Sequence, residues 1–149
     1  MNVNKIIFVC TGNTCRSPMA EVIAKEKLKK LNKKIEIYSR GILVSIPAKA
    51  NNKAIEIARK NQLSLEKHIS KIFNISEVKD NTLILTMTNR HKDMLIKNYP
   101  DIDGIVFTVF EFIGKKGSIE DPFGMDIEAY EKCYLQLEQI IEEIIKKIK

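Results

Sequence analysis

Short apolar runs alternate along the chain with longer segments in which apolar residues recur every three or four positions. The runs are typical of buried β-strands, and the longer segments are typical of amphipathic α-helices. The predicted strands cover residues 5–9, 35–39, 82–87 and 104–109. The predicted helices cover about 17–32, 51–63, 89–99 and 127–148, with short helical turns expected in 68–78.

This alternation of strands and helices predicts a three-layer α/β/α fold with a four-stranded parallel sheet, because each parallel crossover needs a helix that packs on a sheet face. The 149 residues suit a single domain spanning 1–149. The last helix carries a continuous apolar stripe, which favours packing on the sheet and leaves a coiled coil as the alternative. In such sheets ligands bind beyond the carboxyl ends of the strands, where "CTGNTCR" follows the first strand.

The composition narrows the class of protein. Hydrophobic residues make up 44% of the chain and charged residues 30%, and no apolar run approaches the roughly 18 residues of a membrane span. The odd count of three cysteines predicts reduced thiols, and the N-terminus has no secretory pattern, so we expect a cytoplasmic protein. The cysteine spacing gives no tetrahedral metal set and only two histidines are present, so we expect no metal and no other cofactor. The net charge of +6 comes mainly from lysines without interleaved aromatics. We interpret them as a solvated face, with a recruiting surface as the alternative, and expect neither nucleic acid nor membrane as a partner.

Residues Cys10 to Arg16 form a C-x5-R pattern that suits the binding of a tetrahedral oxyanion. Gly12 and Asn13 tolerate positive φ, which would turn successive backbone N–H groups inward. The helix predicted to begin at Ser17 or Pro18, with Ser17 as its N-cap, adds its positive end. Arg16 can donate two parallel hydrogen bonds to phosphate oxygens. In this setting we expect Cys10 to ionise more readily than a free thiol and to act as a nucleophile, with Ser17 donating to its sulfur.

A carboxyl group far along the chain supplies the acid that this chemistry needs. Attack of a thiolate on phosphorus forms a phosphocysteine, and the leaving group then requires a proton. Asp121 precedes Pro122 in a turn before the last helix, and the proline biases it toward an extended conformation. Negative charge on a nearby thiolate and phosphate dianion favours the protonated form of Asp121, so Asp121 is the predicted acid. Once it has given up its proton, the same side chain is the predicted base that activates water.

These motifs resemble those of the low-molecular-weight protein tyrosine phosphatase family over essentially the whole chain. "VCTGNTCRSPMAE" resembles the phosphate loop of that family, and "SRGI", "MTNRHK" and "DPFG" fall where the family has its second-strand, third-strand and general-acid motifs. The resemblance implies a four-stranded parallel sheet, no metal, Cys10 as nucleophile, Arg16 as phosphate clamp and Asp121 as proton donor.

Two departures from the tyrosine-specific pattern concern the substrate. Those members usually have isoleucine or leucine where Thr14 stands and two tyrosines where this chain has Phe123 and Gly124, and both differences resemble the protein arginine phosphatase branch. A phosphoarginine guanidinium has N–H donors that need partners once desolvated, and the Thr14 hydroxyl can accept one. Phe123 suits either substrate, or loop packing. The predicted substrate-binding residues are Thr11, Gly12, Asn13, Thr14, Cys15, Ser17 and Phe123.

The preferred interpretation is therefore a phosphatase that acts on phosphoarginine in proteins, with phosphotyrosine or broad aryl phosphates as the alternative substrates. An arsenate reductase of the same fold would need further cysteines after the third strand, and residues 79–99 contain none. A non-catalytic phospho-binding module would have no use for Asp121.

The remaining cysteines and histidines have subsidiary predicted roles. A disulfide between Cys10 and Cys15 is a hypothesis for protection of the nucleophile against oxidation. Cys133 lies beside the apolar stripe of the last helix and is expected in the core. His68 and His91 are expected to be structural or surface residues.

Overall fold

The computed structural model describes residues 2–148 and contains one parallel sheet with helices on both faces. Its strands are β1 (Lys5–Cys10), β2 (Glu36–Gly41), β3 (Thr82–Thr86) and β4 (Val106–Thr108). Its helices are α1 (Arg16–Lys30), α2 (Asn52–Lys60), α3 (Asn89–Asn98), α4 (Val109–Phe112) and α5 (Ile127–Ile148), with 3₁₀ turns at Ile75–Glu77 and Pro100–Ile105. The strand order is β2-β1-β3-β4, and every neighbouring pair is parallel. The predicted fold class is confirmed.

Strand β1 lies inside the sheet, between β2 and β3, and both of its faces are covered. Ile6 and Phe8 point to the core shared with α1 and α5, whereas Ile7 and Val9 point to the core on the opposite face, near α3. All four side chains are at most 1% exposed. A strand buried on both faces has no polar alternation, which explains the continuous apolar run.

The apolar stripe of α5 is buried within the chain itself. Its buried residues are Tyr130, Cys133, Tyr134, Leu137, Ile140, Ile141, Ile144, Ile145 and Ile148. They pack in the same core as α1 and α2, so the coiled-coil alternative is wrong for this helix. Along the 2–148 range, no helix is both long enough and apolar enough to cross a membrane.

Most element boundaries differ from the predicted ones by one to three residues, and two of these differences have an evident cause. Helix α1 begins at Arg16, and its N-cap Cys15 makes no side-chain capping bond. The predicted fourth strand is cut short at Thr108, because this residue caps a short helix that the apolar pattern did not indicate. Thr108 and Glu111 form a reciprocal capping box that stabilises the first turn of α4.

The carboxyl end of β1 is hydrogen-bonded to the segment that follows β2. Ile42 N donates to Cys10 O at 3.0 Å, and Leu43 N donates to Thr11 O at 3.0 Å. Further along, Asn51 N donates to Thr14 O at 2.9 Å. These bonds extend the sheet edge into the first loop and hold residues 10–14 in one conformation.

Candidate active site

A cavity of about 210 Å³ opens at the carboxyl edge of the sheet, where β1 passes into α1. It is lined by Cys10, Thr11, Gly12, Thr14, Cys15, Arg16, Asp121 and Phe123. The structure thus brings together eight residues predicted for the site, although Asp121 and Phe123 lie about a hundred positions from the others. The two remaining predicted residues, Asn13 and Ser17, are fully buried beneath the loop.

The turn of the loop depends on Asn13 rather than on Gly12. Asn13 has φ 58°, whereas Gly12 has no positive φ, so only one of the two bend formers takes the left-handed conformation. Two hydrogen bonds of the Asn13 side-chain amide stabilise this left-handed conformation. Its Oδ1 accepts from Lys71 N at 2.9 Å, and its Nδ2 donates to Ser17 Oγ at 2.8 Å.

Ser17 is directed at the cysteine sulfur instead of capping the helix. Its Oγ lies 2.9 Å from Cys10 Sγ and accepts a hydrogen bond from Asn13 Nδ2. The serine hydroxyl has a single hydrogen, which it can donate to Arg40 O at 3.3 Å or to the sulfur at 2.9 Å. When the sulfur is a thiolate it has no hydrogen of its own, and Ser17 is then the donor in the shorter contact. The prediction that Ser17 is the N-cap is wrong, because α1 begins at Arg16 and Ser17 lies in its first turn. A hydroxyl that donates to sulfur stabilises the anionic form of a thiol.

Arg16 is buried and held in place by the backbone of a distant segment. The residue is 5% exposed, and Nη1 of its guanidinium group donates to Ile119 O at 2.9 Å. Nη2 contacts Thr11 Oγ1 at 3.4 Å and Asp121 Oδ2 at 3.6 Å, both at the long end of polar contact. One guanidinium nitrogen is therefore fixed, and the other faces the cavity with only weak partners.

Asp121 lies over the cavity on an exposed turn. Its side chain is 51% exposed, and its Oδ1 accepts from Phe123 N at 3.1 Å. Gly124, with φ 81°, completes this turn. Phe123 is 67% exposed at the cavity mouth, so it does not serve to pack the loop interior. The turn presents a carboxylate and an aromatic ring to the same opening.

Within residues 2–148, the Thr14 hydroxyl has one weak partner, Cys15 Sγ at 3.8 Å. Cys15 itself is buried against Tyr130, with Sγ and the phenol oxygen 3.5 Å apart. Burial raises the pKa of the Cys15 thiol above its ordinary value, and burial also raises the pKa of Cys133 to about 12. Cys133 lies in the core, as expected, and all three cysteines are free thiols.

Sequence reasoning missed the contacts of both histidines and the position of one glycine. His91 is buried, so the surface alternative is wrong for it, and its Nε2 lies 2.8 Å from Thr11 Oγ1. His68 Nε2 lies 2.7 Å from Asn13 O. Gly41 packs so closely under the loop that an added Cβ would lie 2.7 Å from Thr11 O. The motifs "SRGI" and "MTNRHK" contain Gly41 and His91, but the pattern alone gives no partner for either.

Among residues 2–148, no cluster of three or more His, Cys, Asp or Glu side chains has an arrangement that could hold a metal ion.

Comparison with known proteins identifies one protein family. The family described as low molecular weight phosphotyrosine protein phosphatase matches residues 5–149. A protein-arginine-phosphatase of Bacillus subtilis is 34% identical, over 97% of this chain and 96% of its own length. The low molecular weight protein-tyrosine-phosphatase PtpB of Staphylococcus epidermidis is 38% identical, over 94% of this chain and 96% of its own length. A solved structure of the YwlE arginine phosphatase, a cysteine-to-serine mutant with phosphorylated active-site serine, superposes with a TM-score of 0.91 at 34% identity, covering 97% of this chain and 95% of the other.

Fold, cavity and relatives together define a cysteine-based protein phosphatase. The chain belongs to the low molecular weight phosphotyrosine protein phosphatase family.

Proposed function

We propose that this phosphatase hydrolyses phosphoarginine in proteins, with Cys10 as nucleophile, Arg16 as phosphate clamp and Asp121 as general acid. The observation that carries the choice of substrate is that Thr14 lines the same cavity as Cys10 and keeps its hydroxyl nearly free. The proposal is also supported by a relative, 34% identical to this chain, that is named a protein-arginine-phosphatase in Bacillus subtilis.

The first chemical step transfers the phosphoryl group to sulfur. The Cys10 thiolate attacks phosphorus, the S–P bond forms, and the P–N bond to the arginine side chain breaks. Asp121 gives its proton to the departing guanidinium nitrogen, so that arginine leaves with a full set of protons. Arg16 Nη2, 3.6 Å from Asp121 Oδ2, faces the charge that builds up on the phosphoryl oxygens.

The second step regenerates the enzyme. Asp121, now a carboxylate, takes a proton from water, and the water oxygen attacks phosphorus. The S–P bond breaks and leaves inorganic phosphate and the Cys10 thiolate, whose charge the Ser17 hydroxyl at 2.9 Å stabilises. The exposure of Asp121, at 51% of its side chain, supports this second role because water must reach it.

Selectivity follows from the hydrogen-bonding needs of the two substrates. The N–H groups of a guanidinium group lose water in the cavity and need acceptors, and Thr14 Oγ1 offers one. A phosphotyrosine ring has no such donors, and there an apolar side chain is the better neighbour. Phe123 can stack on either group and does not discriminate between them.

Phosphotyrosine is the second candidate substrate, because PtpB of Staphylococcus epidermidis and other relatives at 37–38% identity are named protein-tyrosine-phosphatases. We separate the two by comparing turnover of phosphoarginine and phosphotyrosine peptides of one sequence. Wild type should prefer phosphoarginine, and Thr14→Ile should weaken or reverse that preference. Thr14→Ser, which keeps the hydroxyl, is the matched control and should retain it. An unchanged preference in Thr14→Ile would remove Thr14 from the explanation.

The free cysteines bear on the cellular compartment in which the protein acts. Three free thiols, one of them proposed as the nucleophile, suit a reducing environment, so we infer that the protein acts in the cytoplasm on phosphorylated proteins.

A further inference from the structure

Thr11 lines the cavity, and behind it stands His91, which contacts the Thr11 hydroxyl but is not itself a lining residue. Neither side chain has a role in the two steps described above. His91 stands in the first turn of α3, and its backbone N donates to the N-cap Thr88 Oγ1 at 3.2 Å. Strand β3 lies beside β1, so the helix that follows β3 begins next to the loop that follows β1. The result is a contact of 2.8 Å between His91 Nε2 and Thr11 Oγ1, across 80 positions of sequence.

The surroundings of His91 fix its charge. The residue is only 5% exposed, and burial together with the positive charge of Arg16 lowers its pKa to about 4, with the charge of Asp121 opposing this. At neutral pH the ring is therefore uncharged and carries a single N–H.

The position of that single hydrogen determines what the Thr11 hydroxyl can do. Nδ1 of His91 is buried and has no hydrogen-bond partner within residues 2–148. A buried donor left without an acceptor is rarer in proteins than an unsatisfied acceptor, which favours the hydrogen on Nε2. Nε2–H then donates to Thr11 Oγ1. That oxygen also accepts from Arg16 Nη2 at 3.4 Å, so its own hydrogen remains unused.

Thr11 is at the corner of the cavity where the proposed phosphate clamp and acid meet. Its side chain lines the cavity, and Arg16 Nη2 lies 3.4 Å from Thr11 Oγ1 and 3.6 Å from Asp121 Oδ2. A phosphoryl oxygen held by Nη2 would lie within reach of the Thr11 hydroxyl.

We propose that His91 is a positioning residue that, by donating from Nε2 to Thr11 Oγ1, turns the Thr11 hydroxyl hydrogen toward an oxygen of the phosphoryl group beside Arg16. Thr11 thereby supplies a side-chain donor in addition to the guanidinium group. The inference depends on Cys10 and Arg16 forming the reaction centre, but it does not depend on whether the substrate is phosphoarginine or phosphotyrosine.

A double-mutant cycle with a generic aryl phosphate tests the pair. Thr11→Val removes the hydroxyl at nearly constant shape, and His91→Leu removes the Nε2 donor. Each single variant should lower kcat/KM about ten- to hundredfold, which is the effect of one hydrogen bond to a charged group. The double variant should lose no more than the worse single variant, because both changes abolish the same bond. Additive losses would overturn the proposal.

Conservative variants distinguish positioning from a structural role. Thr11→Ser keeps the hydroxyl, and His91→Gln places an amide N–H near the same oxygen. Both should recover most of the loss, and inhibition by inorganic phosphate should weaken in Thr11→Val but not in Thr11→Ser. Lys97→Gln, on the exposed side of α3, is the control variant and should behave as wild type.

Thermal unfolding of every variant accompanies these measurements. If His91→Leu fails to fold, the comparison of Thr11→Val with Thr11→Ser still decides the question, because equal activity of these two would show that the hydroxyl is not used. Loss of all activity in Cys10→Ala, by contrast, tests the nucleophile and is independent of the Thr11–His91 pair.

Discussion

Substitution of Gly41 by alanine should displace the loop of the candidate active site, which packs against this glycine. A Cβ at this position would lie 2.6 Å from Val44 Cγ2, 2.7 Å from Thr11 O and 3.1 Å from Asn13 Cβ. The valine methyl can rotate away, but Thr11 O belongs to the backbone and already accepts from Leu43 N at 3.0 Å. The loop must therefore move by several tenths of an ångström, and we expect overpacking to lower the free energy of unfolding by about 1–3 kcal/mol.

Activity should fall further than this loss of stability explains. Displacing Thr11 also displaces the neighbouring Cys10 relative to Arg16, and small errors of position in a reaction centre lower rates by about ten- to hundredfold. Gly104→Ala is the matched control, because no atom lies within 4 Å of the added Cβ, and its stability should stay within about 0.5 kcal/mol of wild type. Urea unfolding and turnover of an aryl phosphate give the two quantities. A Gly41→Ala protein as stable and as active as Gly104→Ala would refute the steric argument.

Three further predictions follow from particular contacts. Hydrogen bonds from Arg40 lower the pKa of Glu77, so this ion pair stabilises the protein fully above the ordinary pKa of a glutamate. The stabilisation is lost as pH falls through the lowered pKa. Glu77→Gln should therefore lower the urea midpoint at neutral pH, and its difference from wild type should shrink in acid. Ser17→Ala should lower kcat about ten- to hundredfold, since Cys10 Sγ loses a donor 2.9 Å away, and unchanged kcat would exclude that role. Peroxide inactivation should be reversed by reductant in wild type but not in Cys15→Ser, and equal recovery would count against the Cys10–Cys15 disulfide.

The pattern of apolar residues was sufficient for the main elements of the fold. The α5 stripe and the β1 run are visible because each element must bury a face or both faces, and burial leaves a periodic mark on the sequence. Boundaries were less well predicted where side chains are engaged elsewhere. Ser17 has the chemistry of an N-cap, but its hydroxyl bonds to Cys10 and Asn13, and the helix begins at Arg16 rather than at Ser17 or Pro18.

The candidate site was predictable to the extent that its residues lie in one loop or carry an evident chemical function. The loop from Cys10 to Ser17 is local, and Asp121 was found because the proposed chemistry needs an acid. His91 and Gly41 were missed because their importance arises from the strand order, in which β1 lies between β2 and β3. This order brings the ends of three strands to one edge, and local periodicity does not specify it.

The most direct test of the central claim is identification of the residue that carries the phosphoryl group during turnover. Rapid acid quenching of the enzyme with a phosphoarginine peptide, followed by mass spectrometry, should find one phosphoryl group per chain on Cys10. Cys10→Ala should show none and should have no turnover. A phosphoryl group on another residue, or hydrolysis that persists in Cys10→Ala, would contradict the account.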